Sequence, residues 1–326
     1  MVDFVADKKA QCKISEERLL VYIGISRRRF YDWKQAHGEP RKYSDNFIRT
    51  NMITNQEKEA IIDFYLCHPS DGYRRCAYMM IDQDIAYVQP SSVYRVLSKA
   101  GVMRNRNAKE SKKGTGFVQP LKAHEQWHSD ITNITAGDTV YYLISILDGY
   151  SRSIIAWELR ESMKVQDVNI VFQKAKELYP EARPRCISDN GSQYKCKEFS
   201  QFITRNEYSH TSTSPYYPQS NGKQERFHGS LKKECIRVNC PLSMADAKRL
   251  IGEYIEYYNT QRLHSSIYYI APHDRLNGLT QQILDKRDQK LKLAKQKRME
   301  SNSIISMQPH FSKNTSMEGE VGGMRG

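Results

Sequence analysis

No apolar run in this chain approaches the ~18 residues of a membrane span; the longest, Val140 to Leu147, predicts a buried strand instead. The N-terminus lacks a secretory apolar segment, since Met1 to Lys9 alternates apolar and charged residues. A soluble, cytoplasmic protein with no membrane partner is expected. Cysteine pairs at metal-ligand spacing are also missing. The seven cysteines (Cys12, Cys67, Cys76, Cys186, Cys196, Cys235, Cys240) are odd in number and contain no Cys-x-x-Cys, so neither a disulfide framework nor a structural zinc site is indicated. No internal repeat is convincing.

What is present is length and positive charge. At 326 residues the chain suits two or three domains. Lys and Arg outnumber Asp and Glu by 50 to 37, a net charge of +13. That favours a polyanionic partner over an acidic small molecule, although a basic balance also serves solubility alone.

Three carboxylates stand out. Asp130 closes an alternating segment, Trp127-His128-Ser129-Asp130, that predicts a strand. Asp189 precedes an Asn190-Gly191 turn in which Gly191 is expected to supply a sharp change of direction, and Glu225 lies on a predicted helix. Thirty-five residues separate Asp189 from Glu225. Carboxylates on three separate elements can hold two hard divalent cations, an arrangement suited to phosphoryl transfer. The apolar stripe of the Glu225 helix is Phe227, Leu231, Cys235, which leaves Glu225 free to face the end of the sheet, with His228 and Lys232 on its side. Taken singly, each acidic residue has a bland reading, a plain turn for Asp189 and a solvated surface residue for Glu225. The three at this spacing carry the metal-site reading.

The block from Trp127 to Pro272 resembles the retroviral-type integrase core of bacterial insertion-sequence transposases, with its Asp, Asp, 35, Glu triad. Further matches are Leu147-Asp148-Gly149-Tyr150-Ser151-Arg152, Ser214 to Gly229, Tyr258 to His264 and Ala271-Pro272, and the resemblance extends over roughly residues 14 to 277. It implies a ribonuclease H-like α/β fold with a mixed sheet, preceded by an α-helical helix-turn-helix region. It also implies two Mg²⁺ or Mn²⁺ ions at Asp130, Asp189 and Glu225, with strand cleavage by water followed by strand transfer by the freed 3′-hydroxyl. The partner implied is double-stranded DNA, both element ends and target, bound by a homo-oligomer in a bacterial cytoplasm, at the nucleoid. Family members are often made as fusions to a small upstream helix-turn-helix protein. In the family the residue seven after the Glu is basic and meets DNA near the reacting end, here Lys232; His228 is a second candidate.

Upstream, residues 14–34 predict helix, turn at Gly24, helix, with Ser26 as an N-cap and Arg27, Arg28 and Arg29 crowding the second helix; DNA contact and a solvated basic face both remain open. Residues 55–102 predict a second helical unit. Its last helix starts at Pro90, ends before Gly101, buries Val93, Val96 and Leu97, and turns Ser91, Ser92 and Arg95 outward where they can reach a major groove. The expected division is 1–50 and 51–104 as helix-turn-helix units, 105–122 as a basic linker, 123–277 as the catalytic core, and 278–326 as a basic helix with a disordered tail from Ser301. Residues 286–298 hold seven Lys or Arg against Asp288 and are expected to add a sequence-independent attraction to phosphate.

Asp148 is expected to serve a turn beside the site, not a metal, and His264 to pack or meet a DNA backbone. An alternative function is a DNA-binding regulator of transposition with an inactive core, against which the intact Asp130, Asp189 and Glu225 speak. A simple ribonuclease H fits the fold but not the helical N-terminal region.

Overall fold

The computed structural model describes residues 1–12, 14–35, 37, 51–103, 119–212 and 222–307. Most of the expected linker, the 214–221 segment and the tail from residue 308 lie outside these. The described residues fall into two compact units, one of residues 1–52 with those from Met299 onward, the other Ile53–Arg298.

In the first unit, α1 (Val2–Cys12), α2 (Glu16–Ile23) and α3 (Arg27–Gln35) enclose a small core of Val5, Leu19, Leu20 and Phe30. The helix, turn, helix pattern is as expected. Ser15 caps α2, Gly24 takes the left-handed conformation that ends it (φ 75°), and Ser26 Oγ accepts from Arg29 N. Helix α1 was not anticipated, because only Val5 of its eleven residues is buried and a single apolar turn leaves no periodicity to read.

The second unit opens with α4 (Asn55–Cys67), α5 (Tyr73–Asp82) and α6 (Pro90–Lys99). A reciprocal Thr54–Glu57 cap starts α4, and Pro90 occupies the first turn of α6. Ile61, Met80, Val93 and Leu97 fill the core between them.

Five strands follow: β1 (Gln126–Ala136), β2 (Thr139–Asp148), β3 (Ile154–Arg160), β4 (Arg185–Ser188) and β5 (Ser209–Ser212). Their spatial order is β3-β2-β1-β4-β5. The β1-β2-β3 meander is antiparallel, whereas β4 and β5 run parallel to β1, which is the mixed ribonuclease H-like sheet that was expected. Side chains alternate across β1. Trp127 points to the face covered by α7 (Val165–Leu178), α8 (Ser192–Lys195) and α9 (Lys197–Arg205). Ile134 and Ala136 point to the opposite face, covered by α10 (Gly222–Leu231) and α12 (Met244–Thr260). Helix α10 continues through a π-helical turn (Lys232–Ile236) into the short α11 (Arg237–Asn239).

Beyond α13 (Pro272–Leu276) comes α14 (Thr280–Met307). This corrects two expectations. The chain is helical through Met307, so order extends past Ser301. The cations of 286–298 are in part structural: Arg287 is buried and forks onto Asp82 (2.6 and 2.8 Å), Lys290 pairs with Asp84, and Arg298 meets Glu57 at 2.8 Å. Together with Tyr78 stacked on Tyr269 (4.9 Å), they tie α4 and the end of α5 to α14 and to the loop before α13.

Candidate active site

Asp130 does not end its strand. β1 runs six residues further, because its distal half pairs with β2 alone and buries Ile134 and Ala136 beneath the α10–α12 layer. What ends near Asp130 is the pairing with β4, whose parallel register runs from Gln126↔Arg185 to His128↔Ile187. Asp130 lies two residues past the last of these pairs on β1, and Asp189 follows directly on the end of β4, so both flank the point where the two strands part. Tyr194 senses both. Its hydroxyl shares a 2.8 Å hydrogen bond with Ser129, and burial pushes the phenol up, with the charges of Asp130 and Asp189 adding to the rise.

Asp189 Oδ1 accepts from Gly191 N at 3.0 Å, and Ser188 Oγ bonds His210 at 2.8 Å, which fixes the turn after β4. Gly191 itself has φ −56°, so the left-handed freedom expected of it is not used. A Cβ there would instead meet the flexible end of the Gln193 side chain.

Helix α10 is tied to the sheet by two buried polar residues that sequence reasoning passed over or misplaced. Gln224 Nε2 donates to the backbone oxygens of His128 (2.6 Å) and Ser145 (2.9 Å). His228, expected to face DNA, is turned inward: Nε2 lies 3.1 Å from Ser145 Oγ and Nδ1 3.4 Å from Asp130 Oδ2. Ser145 interrupts the otherwise apolar 140–147 run, and that lone polar position was the available signal. Phe227, Leu231 and Cys235 are buried as expected, and Glu225 is exposed, one helical turn before His228. Lys232 is half-buried at the start of the π-helical turn.

Among the described residues, no three His, Cys, Asp or Glu side chains are gathered closely enough to hold a metal ion. The structure therefore brings Asp130 and Asp189 to one end of the sheet and the Glu225 helix against Asp130 without closing the three into a cage. The donor set still fits hard cations. Its members are carboxylates, each at least partly exposed, and among the described residues none has a Lys or Arg within ion-pair distance.

Around this centre the family motifs turn structural. Asp148 is buried and accepts from Ser151 N (2.7 Å), Ser151 Oγ (2.7 Å) and His124 N (2.9 Å), so it closes the β2–β3 turn as expected. Lys223 Nζ donates to Gly149 O at 3.1 Å on the same turn, and burial, then Arg152, pushes Lys223 down to about 7. Arg262 forks onto Glu234 at 2.7 and 2.8 Å. His264 is buried, with Nδ1 accepting from Ser266. It packs and does not reach the carboxylates.

Of the upstream candidates, Arg27 pairs with Glu17 at 2.8 Å, Arg29 lies over the Trp33 ring at 5.3 Å, and Arg28 is exposed. Arg95 folds back along α6 onto Ser91 O (3.4 Å) and Ser92 Oγ (3.1 Å), with Ser91 exposed beside it.

Comparison with known proteins follows the same segment. Sequence models of the integrase core domain match residues 120–218 and 206–272. A putative transposase for insertion sequence element IS150 of Escherichia coli is 23% identical over 269 residues, covering 78% of this chain and 91% of that protein. An uncharacterized protein of insertion element IS136 from Agrobacterium fabrum is 30% identical over 165 residues, 48% of this chain and 85% of the relative. Among solved structures, the HTLV-2 integrase catalytic core domain in complex with magnesium is 19% identical, with 47% of this chain and 97% of that one covered at a TM-score of 0.40. The chain belongs to the insertion-sequence transposases with an integrase core domain.

Proposed function

We propose that this transposase binds the ends of its own element and carries out metal-dependent strand cleavage and strand transfer, with Asp130, Asp189 and Glu225 as its catalytic carboxylates. The observation that supports the reading is that Asp130 and Asp189 flank the parting of β1 and β4, with the Glu225 helix pinned against Asp130 through His228. Mg²⁺ or Mn²⁺ held by these carboxylates, two ions in the full reading, would make water and then a 3′-hydroxyl nucleophilic and stabilise the leaving oxygen. The protein's own contribution is positioning. His228 and Ser145 fix the Asp130 carboxylate from the side away from solvent, Gly191 N fixes that of Asp189, and Gln224 sets the height of Glu225 along β1.

DNA is engaged by more than the core in this reading. Lys232 lies toward the reacting end, and Arg27, Arg28, Arg29, Ser91, Ser92 and Arg95 supply contacts along the element end, Arg95 after leaving its own helix. Assembly is as a homo-oligomer on DNA.

The test is nicking of supercoiled plasmid with Mg²⁺, alongside duplex binding, for Asp130→Asn, Asp189→Asn and Glu225→Gln. Each should abolish cleavage and leave binding near wild type, because each removes a ligand but little DNA surface. A Glu225→Gln protein that cuts at the wild-type rate would refute the triad, and a wild-type protein that binds end DNA but never cuts would favour the inactive-core alternative.

A further inference from the structure

The β2–β3 turn, Asp148 to Arg152, is absorbed by the fold only in part. Asp148 is committed inside the turn, both of its carboxylate oxygens accepting from Ser151 or His124. Arg152 is not accounted for. Its backbone is held left-handed at φ 71°, a conformation that bulky residues rarely adopt, with its N–H bonded to Asp148 O at 2.9 Å. Its Nε and Nη1 are buried and make no hydrogen bond. Other buried guanidinium groups in this chain are met by carboxylates: Arg262 by Glu234, Arg287 by Asp82 and Arg298 by Glu57.

The neighbours of Arg152 worsen the imbalance. Arg275 donates to Tyr150 O at 3.1 Å and stacks over the Tyr150 ring at 4.2 Å, and Lys223 reaches Gly149 O, so cations grip the turn from two sides. Arg226 adds its charge from α10. Among the described residues, none of Arg152, Arg226 and Arg275 has a carboxylate within ion-pair distance. Burial, and then the charges of Arg275 and Arg226, pull the Arg152 guanidinium below its ordinary proton affinity despite the nearby Tyr258 and Asp148. A half-buried cation kept among like charges on a strained backbone calls for an anion from outside the chain.

We propose that Arg152, with Arg226 and Arg275, forms an anion site for a phosphate of bound DNA, beside the helix turn that carries Glu225. The inference rests on the DNA-processing reading above and adds to it a specific contact. A guanidinium suits phosphate because its planar donors match the anion's oxygens. The position also suits DNA, since Arg226 adjoins Glu225 in sequence and a phosphodiester brought to the carboxylates has neighbours along the same strand. Occupancy would relieve the charge crowding, and would couple backbone docking to the placement of Glu225.

The experiment uses the full chain and two probes, inorganic phosphate and a duplex of arbitrary sequence. Inorganic phosphate should raise the melting temperature of the wild type, with the rise lost in Arg152→Gln, reduced in Arg226→Gln and largely kept in Arg152→Lys. The slope of log binding constant against log salt for the duplex should fall by about 0.9 in Arg152→Gln, the share of one phosphate contact. Arg226 is exposed, so Arg226→Gln carries the test if Arg152→Gln fails to fold. Unchanged slopes and unchanged phosphate protection in both Gln variants would overturn the site. Phosphate protection lost with the duplex slope unchanged would make it a site for free anions and overturn the DNA assignment. A wild type that binds no duplex would refute the functional reading and the DNA assignment together, while the phosphate arm would still decide whether the anion site exists.

Discussion

His264 should make the catalytic core sensitive to mild acid in a way that one substitution removes. Burial, then the charges of Arg152, Arg262, Arg226 and Arg75, pushes its imidazole down to about 3 in the folded chain, against roughly 6.5 for an unfolded histidine. With the folded value depressed, the unfolded chain takes up a proton between these limits that the folded chain refuses, so stability is lost as pH falls through the unfolded value toward the folded one. Between about pH 7 and about pH 5 the loss is about 2 kcal/mol. His264→Asn keeps an acceptor for Ser266 N and Oγ, now 3.3 and 3.0 Å from Nδ1, and removes the titration. Urea unfolding followed by tryptophan fluorescence reports on Trp127 and Trp157 in the sheet. The free-energy difference between variant and wild type should move about 2 kcal/mol in favour of the variant from the higher pH to the lower. His124 and His210 are also pushed down, chiefly by burial, but they are common to both proteins and cancel. A difference that stays constant across this range would refute the reasoning.

Two further substitutions probe the packing that positions the site. Gly149→Ala would place a Cβ 3.0 Å from His128 Nε2 and 3.2 Å from Gln126 O, and should cost about 1–3 kcal/mol by thermal or urea unfolding; a loss under about 0.5 kcal/mol would mean that the turn yields freely. Asp82→Ala leaves the buried Arg287 with the Tyr268 and Tyr269 carbonyl oxygens and the Tyr78 ring but no carboxylate, and should cost about 3 kcal/mol, part of it recovered when Arg287→Met is added; no recovery in the double variant would show that the lost stability did not come from the stranded charge.

Much of the core was legible because its periodicities are clean. The Val140–Leu147 run lies within strand β2, and the Glu225 helix buries Phe227, Leu231 and Cys235 as its apolar stripe predicts. Spacing singled out the carboxylates, but not the residues packed around them. Ser145 and Gln224 meet across 79 residues of sequence, and no local pattern says that a glutamine next to a conspicuous Glu points the other way, into the sheet. His228 was misplaced for a related reason: helical spacing puts it on the Glu225 side without saying that this side packs onto the sheet at Asp130 and Ser145. Residues 286–298 are helical as expected, but counting their charges did not show that Arg287, Lys290 and Arg298 are paired within the chain. A run of Lys and Arg has the same composition whether it faces phosphate or reaches Asp82, Asp84 and Glu57 more than 200 residues earlier. Helix α1 was missed because too little of it is buried to leave a mark.

The π-helical turn at Lys232–Ile236 has a consequence for how insertions and deletions are tolerated here. A wider turn holds about one residue more than an α-turn, so the helix on its two sides is out of phase by about 100°. The leading half keeps time with the sheet through Gln224 and His228. The trailing part keeps time with α12 and the loop after it, through Glu234 bonded to Tyr254 and Arg262. An unbroken α-helix could satisfy one appointment or the other. The single surplus residue acts as a clutch between two rotations, and trimming it to a regular helix would either pull Gln224 and His228 off the sheet or pull Glu234 off its arginine.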